Sequence, residues 1–391
     1  VGAAATAGWA LAGATVAFVH DRWWGSPNLA FMVAISRNLG HNPFHGGLDG
    51  DYLLTNLLGP VLASVTRQTD AHQYARLHLI LLAVGLAVAV VLAARRFGHR
   101  VAGTLSVVLA MSPAVAVSLM WLGQPDPLTL SFGLIITLVR RPWVAAIVAI
   151  LAGLTHPEQA IVMALAAGVA RAALSEDRPR GPEMRRSVVE LVWVAGGVVV
   201  GRLITEVYLR VNDIVITNPR TSYLDLGFSG FLRSHREAPW ALVYALWGPL
   251  WIVLLGVILI RIIQRGSRSD RDVNHAWWVV AAIALVALVP TFVTLDETRV
   301  YAMITAPALV LIAVLVPAEL DRFGPRVLPW TGAVTLAALL FVPGVFTAGM
   351  AAWSTDVHTA QFGRFLWDGR HPGDLTQWLF SPFHFVIPKL H

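Results

Sequence analysis

The polar residues of this chain are confined to short breaks between long apolar runs, and the breaks alternate in chemistry. One set is rich in arginine: RRFGHR (95–100), RR (140–141), EDRPRGPEMRR (176–186), RIIQRGSRSDR (261–271) and DRFGPR (321–326). The other is rich in carboxylate, histidine, glutamine and tryptophan: HDRWW (20–24), GGLDGDY (46–52), GQPDP (123–127), THPEQ (155–159) and LDETR (295–299). Such alternation implies that each apolar run crosses between two different environments. A bilayer provides them, because apolar runs of about 20 residues span its hydrocarbon core as helices. The expected fold is all-α, a polytopic transmembrane helical bundle.

Composition agrees. Hydrophobic residues make up 56% of the 391, charged residues 13%, and the mean hydropathy is +0.65; a soluble domain carries about 25% charge. The net charge of +6 and the pI near 10.3 come from short loops between spans. The positive-inside rule accounts for that pattern, so no nucleic-acid partner is inferred. Cysteine is absent, which excludes disulfides and thiolate metal sites. The prevalence of Ala, Val, Leu and Arg points to a GC-rich bacterial genome, hence to a multi-pass protein of the bacterial inner membrane. Residues 1–19 are apolar with no basic stretch before them, and read as a first span rather than a signal peptide.

About eleven spans are expected, at roughly 2–19, 78–94, 101–121, 126–139, 142–154, 159–173, 187–206, 239–260, 275–294, 300–317 and 327–349. With the arginine-rich breaks in the cytoplasm, the parity holds at every step and the N-terminus is cytoplasmic. Segments 126–139 and 142–154 are short, and read either as a re-entrant hairpin or as tilted helices against a cavity. The membrane module is expected over 1–350, with external loops at 20–77 and 207–238 and an external C-terminal tail at 351–391. Within the first loop, residues 28–38 are too short to span. Residues 51–65 set Leu53, Leu54, Leu57, Leu58, Val61 and Val65 at helical spacing, an interfacial pattern that Pro60 should bend.

The candidate chemistry gathers on the external face. Asp21 follows the first span, and Asp49 and Asp51 open the second interfacial segment. Each reads either as a solvated loop carboxylate or as a general base whose pKa is set by apolar walls. Asp126, between Pro125 and Pro127 and beside Gln124, reads as a helix cap or as part of a cavity lining. In THPEQ, Thr155 and Glu158 have the spacing of a capping box, and His156 could face a substrate as well. Arg299 opens an apolar helix, and reads as the ion-pair partner of Asp296 or Glu297, or as a phosphate ligand. No residues show specific metal spacing, so no metal site is assigned, although a carboxylate-bound Mg or Mn remains compatible. P-loop, GxGxxG, GxSxG and HExxH motifs are absent.

A first span ending in His20-Asp21, a long first loop with acidic residues and interfacial segments, and an arginine at the outer end of a late span together resemble the GT-C superfamily of membrane glycosyltransferases. The resemblance implies a polyprenyl-phosphate sugar donor, inversion at the anomeric carbon, and an acidic residue of the first loop as catalytic base. It departs in two respects: the Tyr-Pro-Pro run of some mannosyltransferases is absent, and one position differs. In the protein mannosyltransferases and aminoarabinose transferases an acidic residue opens the first interfacial helix, where this chain has Asn28. The implied base moves to Asp21, Asp49 or Asp51, with Asp21 favoured for its tether to a span end. Arg299 would then hold the donor phosphate. His20, Trp23, Trp24, Gln124, Asp126, His156, Glu158, Asp296 and Glu297 would contact donor or acceptor, with Trp121 on the same face. The acceptor would be a lipid, glycan or protein of the cell envelope. A transporter or lipid flippase, which would favour ionisable groups at mid-membrane and repeat symmetry, and a non-catalytic assembly factor are the alternatives.

Overall fold

The computed structural model describes residues 2–19, 29–44, 51–174, 182–216, 239–263, 271–291, 297–324, 326–339, 345–348 and 351–354. These residues are overwhelmingly helical. The helices are α1 (Ala3–Val19), α2 (Leu29–Arg37), α3 (Leu58–Val65), α4 (Ala71–Phe97), α5 (His99–Met111), α6 (Pro113–Met120), α7 (Asp126–Leu138), α8 (Pro142–Thr155), α9 (Pro157–Ala173) and α10 (Pro182–Val211). They continue as α11 (Pro239–Trp247), α12 (Trp251–Ile263), α13 (Arg271–Thr291), α14 (Glu297–Ile304), α15 (Ala306–Leu320) and α16 (Val327–Leu339).

Among the described residues, three helices are long and apolar enough to cross a membrane: Ala71–Phe97, Val188–Val211 and Leu242–Ile262. The number rises to five if each of two bent pairs counts as one span. Five further apolar helices, including α7 and α8, are shorter. The lipid-facing surfaces are explicit. On α4, Ile80, Val84, Val88 and Val91 are exposed along one stripe, and α10 exposes Val192, Trp193, Val199, Val200, Leu203 and Val207. Apolar faces of this extent are unfavourable in water and suit a lipid environment.

The bends have local causes. Pro113 ends the helical ladder of α5, and α6 leaves at 58°; proline has no N–H to donate and clashes with the preceding turn. Pro307 does the same where α14 meets α15, again at 58°, after Thr305 has turned its hydroxyl back to the Tyr301 carbonyl at 2.8 Å. Both short segments, α6 and α14, are inside the bundle, and they pack against each other. The last expected span, 327–349, is corrected. Its helix stops at Leu339, and Val345–Ala348 is instead a strand, β1, paired antiparallel with β2 (Ala351–Ser354). Pro343 and Gly344 separate helix from strand in the sequence.

The first loop also differs in detail. The 51–65 segment divides into a 3-10 turn, Asp51–Thr55, and α3. Leu53, Leu54 and Leu57 are buried as expected, but the buried face of α3 is Gly59, Pro60 and Ala63, and Val65 is exposed. Small residues win that face because α3 lies tightly on α4: a Cβ at Gly59 would come 2.8 Å from His78 Nε2 and 3.1 Å from the Tyr74 hydroxyl. Close backbone packing recurs where α8 crosses α10. There a Cβ on Gly153 would strike the Val198 carbonyl and one on Gly201 the Ile150 carbonyl, the small-residue packing typical of helices in membranes.

Among the described residues, contacts place breaks of the two sets at opposite ends of the bundle. At the arginine-rich end, Arg96 donates to the Thr137 carbonyl at 3.0 Å, and Arg140 donates to the Arg96 carbonyl at 3.4 Å. Arg171 donates to the Ile136 carbonyl at 2.8 Å and also to that of Val139, and pairs with Glu190 at 3.1 Å. These arginines satisfy the carbonyls that the C-terminus of α7 leaves unpaired. Arg100 pairs with Asp321, and Arg261 with Glu319. At the other end, α2, the 51–55 turn, the start of α4, Leu122, and the end of α10 at Leu209 and Ile214 form one apolar cluster. The expected alternation therefore appears as two chemically distinct ends.

Candidate functional site

The site grows out of the turn between α6 and α7. Gly123 turns the chain at φ +90°, and Pro125 and Pro127 start α7 without needing donors that the turn could not pair. The side of Gly123 is closed by Leu29 of α2 and the Tyr74 ring of α4, so the first loop lies directly over this turn. The result is a run of polar residues inside an apolar shell: Gln124 and Asp126 are each 0% exposed.

Asp126 does not cap α7. Its Oδ1 accepts a hydrogen bond at 2.8 Å from Nε of Arg299, which is also buried. The Arg299 guanidinium lies 4.6 Å from the centre of the Trp121 ring. Arg299 is thus oriented by a carboxylate on one edge and an aromatic face on the other, a cation–π contact that strengthens when water is excluded. The sequence pointed to Asp296 or Glu297 as its partner; the structure adds Asp126, from a helix 173 residues away. Arg299 is the third residue of α14, near the positive end of that helix. Glu297 opens the same helix and is buried.

Polar satisfaction is incomplete here. Among the described residues, Asp126 Oδ2 and both amide atoms of Gln124 are buried without a hydrogen-bond partner. Each such group costs free energy and calls for an explanation. Asp126 Oδ2 can accept from a ligand hydroxyl, and the Gln124 amide can donate to a ligand oxygen and accept from a hydroxyl.

The other expected residues are distributed as follows. Asp51 is buried, 2% exposed, at the start of the 51–55 turn. His156, rather than Thr155, caps α9: its Nδ1 faces the Gln159 N–H at 3.4 Å, while Thr155 ends α8. Glu158 lies 3.4 Å from the same His156 nitrogen and 3.7 Å from Arg202 of α10, which also pairs with Glu206. Glu158, Arg202 and Glu206 therefore form a charged network along α9 and α10, with the capping His156 beside it. His20, Asp21, Trp23, Trp24, Asp49 and Asp296 lie outside the described residues. No group of three or more His, Asp or Glu side chains is placed to hold a metal ion among the described residues.

Sequence reasoning passed over Tyr74 and His78. Both are buried in the first turns of α4, at the carboxylate-rich end, stacked with ring centres 4.5 Å apart beneath Gly59. His78 Nδ1 lies 2.9 Å from the Tyr74 carbonyl. That oxygen can only accept, so Nδ1 carries the proton and Nε2 is left as an acceptor. Their i, i+4 spacing at the entrance to a span was the available signal.

No family model matches the chain, and no curated protein does. Among solved structures it is similar to the crystal structure of the Archaeoglobus fulgidus oligosaccharyltransferase complex with Zn and sulfate, at 13% identity and a TM-score of 0.42. The match covers 86% of this chain and 52% of that one, so the chain spans about half the length of the structure it matches. A likeness of that degree assigns neither a family nor an activity.

Proposed function

We propose that this chain is a membrane glycosyltransferase that moves a sugar from a polyprenyl-phosphate donor to an acceptor hydroxyl at the carboxylate-rich, outer face. The observation that carries the reading is the buried Arg299, held between Asp126 and Trp121 beside the unpartnered polar atoms of Gln124 and Asp126. A fixed guanidinium in a dry site stabilises the charge that develops on a departing phosphate, without reorganising as it forms.

In the proposed reaction a carboxylate of the first loop, Asp21, Asp49 or Asp51, removes the acceptor hydroxyl proton. The acceptor oxygen bonds to the anomeric carbon as its bond to the phosphate oxygen breaks, and polyprenyl phosphate leaves toward Arg299. Asp126 positions Arg299, and Gln124 meets the sugar or phosphate oxygens. Glu297, Asp296, His20, Trp23, Trp24, His156 and Glu158 are proposed to contact donor or acceptor. Burial of Asp51 supports it as the base on the criterion of environment. Holding donor and acceptor together supplies much of the remaining acceleration.

The test is sugar transfer by the purified chain in lipid vesicles carrying labelled polyprenyl-phosphate sugars. Of Asp21→Asn, Asp49→Asn and Asp51→Asn, one should lower transfer by about 10²–10⁴-fold, the usual cost of a lost general base. Full activity in all three removes the first loop from the mechanism.

A second reading, movement of a lipid or solute across the bilayer, draws on the two broken helices α5–α6 and α14–α15 that meet inside the bundle. Broken helices form the binding sites of many transporters. Transbilayer movement of labelled lipid without any sugar transfer would favour it.

A further inference from the structure

The pattern Arg-Phe-Gly-x-Arg occurs twice, at 96–100 and 322–326. In each copy the glycine follows a helical segment and takes a positive φ, +89° at Gly98 and +112° at Gly324. Glycine enters that conformation without steric cost. The two turns are joined at the arginine-rich end of the bundle by the ion pair between Arg100 and Asp321.

Beside this junction lies a cavity of about 300 Å³, bounded by α1, α5, α12, α15 and α16. Its walls are mainly apolar, with Trp9, Val107, Val257 and Leu328 among them, and Arg100 and the His99 ring also line it. Arg95, Arg96, Arg100 and Arg326 belong to the segments 95–100 and 321–326, and Asp321 is their single carboxylate. Arg100 lines the chamber and pairs with Asp321, Arg96 turns to the carbonyls of α7, and Arg95 and Arg326 are exposed at the same end, a surplus of positive charge at the mouth of an apolar chamber. Phe323 and Trp330 are 52% and 68% exposed nearby, as aromatic side chains at a membrane–water interface are.

We propose that this cavity binds an anionic phospholipid of the leaflet at the arginine-rich end. The phosphate sits against the two Arg-Phe-Gly-x-Arg turns, and an acyl chain enters the apolar chamber. Basic pockets between helices at a membrane face recognise anionic headgroups in this way. A zwitterionic lipid would bring an ammonium that the surplus arginines repel, and free phosphate has no chain to fill the chamber. The site is at the opposite end of the bundle from Arg299 and does not depend on the transferase reading.

Native mass spectrometry of the full-length chain, released from micelles holding equal phosphatidylglycerol and phosphatidylcholine, reads the retained lipid. The wild type should retain phosphatidylglycerol with about tenfold preference. Gly256→Leu fills the chamber, because a Cβ at Gly256 meets nothing within 4 Å; it should abolish retention of either lipid while leaving thermal stability intact. Arg100→Gln combined with Arg326→Gln should erase the preference. Equal retention of both lipids by the wild type overturns the proposal. So does undiminished phosphatidylglycerol retention by Gly256→Leu, or an unchanged preference in the double variant.

Discussion

Two buried arginines, Arg171 at the arginine-rich end of the bundle and Arg299 at the other, are held differently. At the arginine-rich end, Arg171 meets Glu190 through Nε and a terminal nitrogen, and the last carbonyls of α7 through the other. These contacts join helix to helix and finish a helix terminus. At the carboxylate-rich end, Arg299 meets Asp126 through Nε, while the second carboxylate oxygen and the neighbouring Gln124 amide have no partner. A guanidinium satisfied on all sides serves stability. One set among unpartnered polar atoms serves a ligand, because native proteins leave buried groups unmatched chiefly where function requires it.

The comparison makes the two arginines behave oppositely on substitution, and this is the largest contrast expected. Arg299→Ala should lower sugar transfer by about 10²–10³-fold per folded molecule, the usual loss for one electrostatic group at a developing charge. Arg299→Lys should restore only part of it, since lysine keeps the charge and loses the planar fork. Arg171→Ala should instead cost about 3–5 kcal/mol of stability, as broken buried pairs do, with transfer per folded molecule unchanged. Thermal melting and transfer assays on the same preparations read both.

Smaller effects sharpen the boundary between the ends. Gly201→Val forces a side chain into the Ile150 carbonyl at the α8–α10 crossing; overpacking of this kind costs about 1–3 kcal/mol, seen as a lowered melting temperature. The smallest effect should come from Arg37→Ala. Arg37 pairs with Asp70 at 2.7 Å, but both side chains are about half exposed, and such surface pairs contribute about 0–1 kcal/mol. A loss above 2 kcal/mol there would show that the first loop is held by charge rather than by the apolar cluster around Leu53, Leu54 and Tyr74.

The two-ended organisation was legible in the sequence because hydrophobic run length and loop chemistry are local properties. Helices α1, α4, α7 and α8 fall close to the expected spans for that reason. The bends at Pro113 and Pro307 lie within continuous apolar runs, where composition alone gives no boundary. The β1–β2 ribbon was hidden in the same way, as its residues are as apolar as the helix before them. At the site, Asp126 and Arg299 could each be singled out, but their pairing spans 173 residues and depends on how α7 and α14 pack. The capping role of His156 was missed because Thr155 is the better capping residue by type, yet the break between α8 and α9 falls one residue later.

The most direct test of the central claim is the affinity of the purified chain for polyprenyl phosphate, measured for wild type, Arg299→Ala and Arg171→Ala in the same lipid nanodiscs. The account predicts binding weakened at least about tenfold by Arg299→Ala, from loss of a charge-assisted contact, and wild-type affinity in Arg171→Ala despite its lower stability. A folded Arg299→Ala protein that binds polyprenyl phosphate as tightly as the wild type would contradict it.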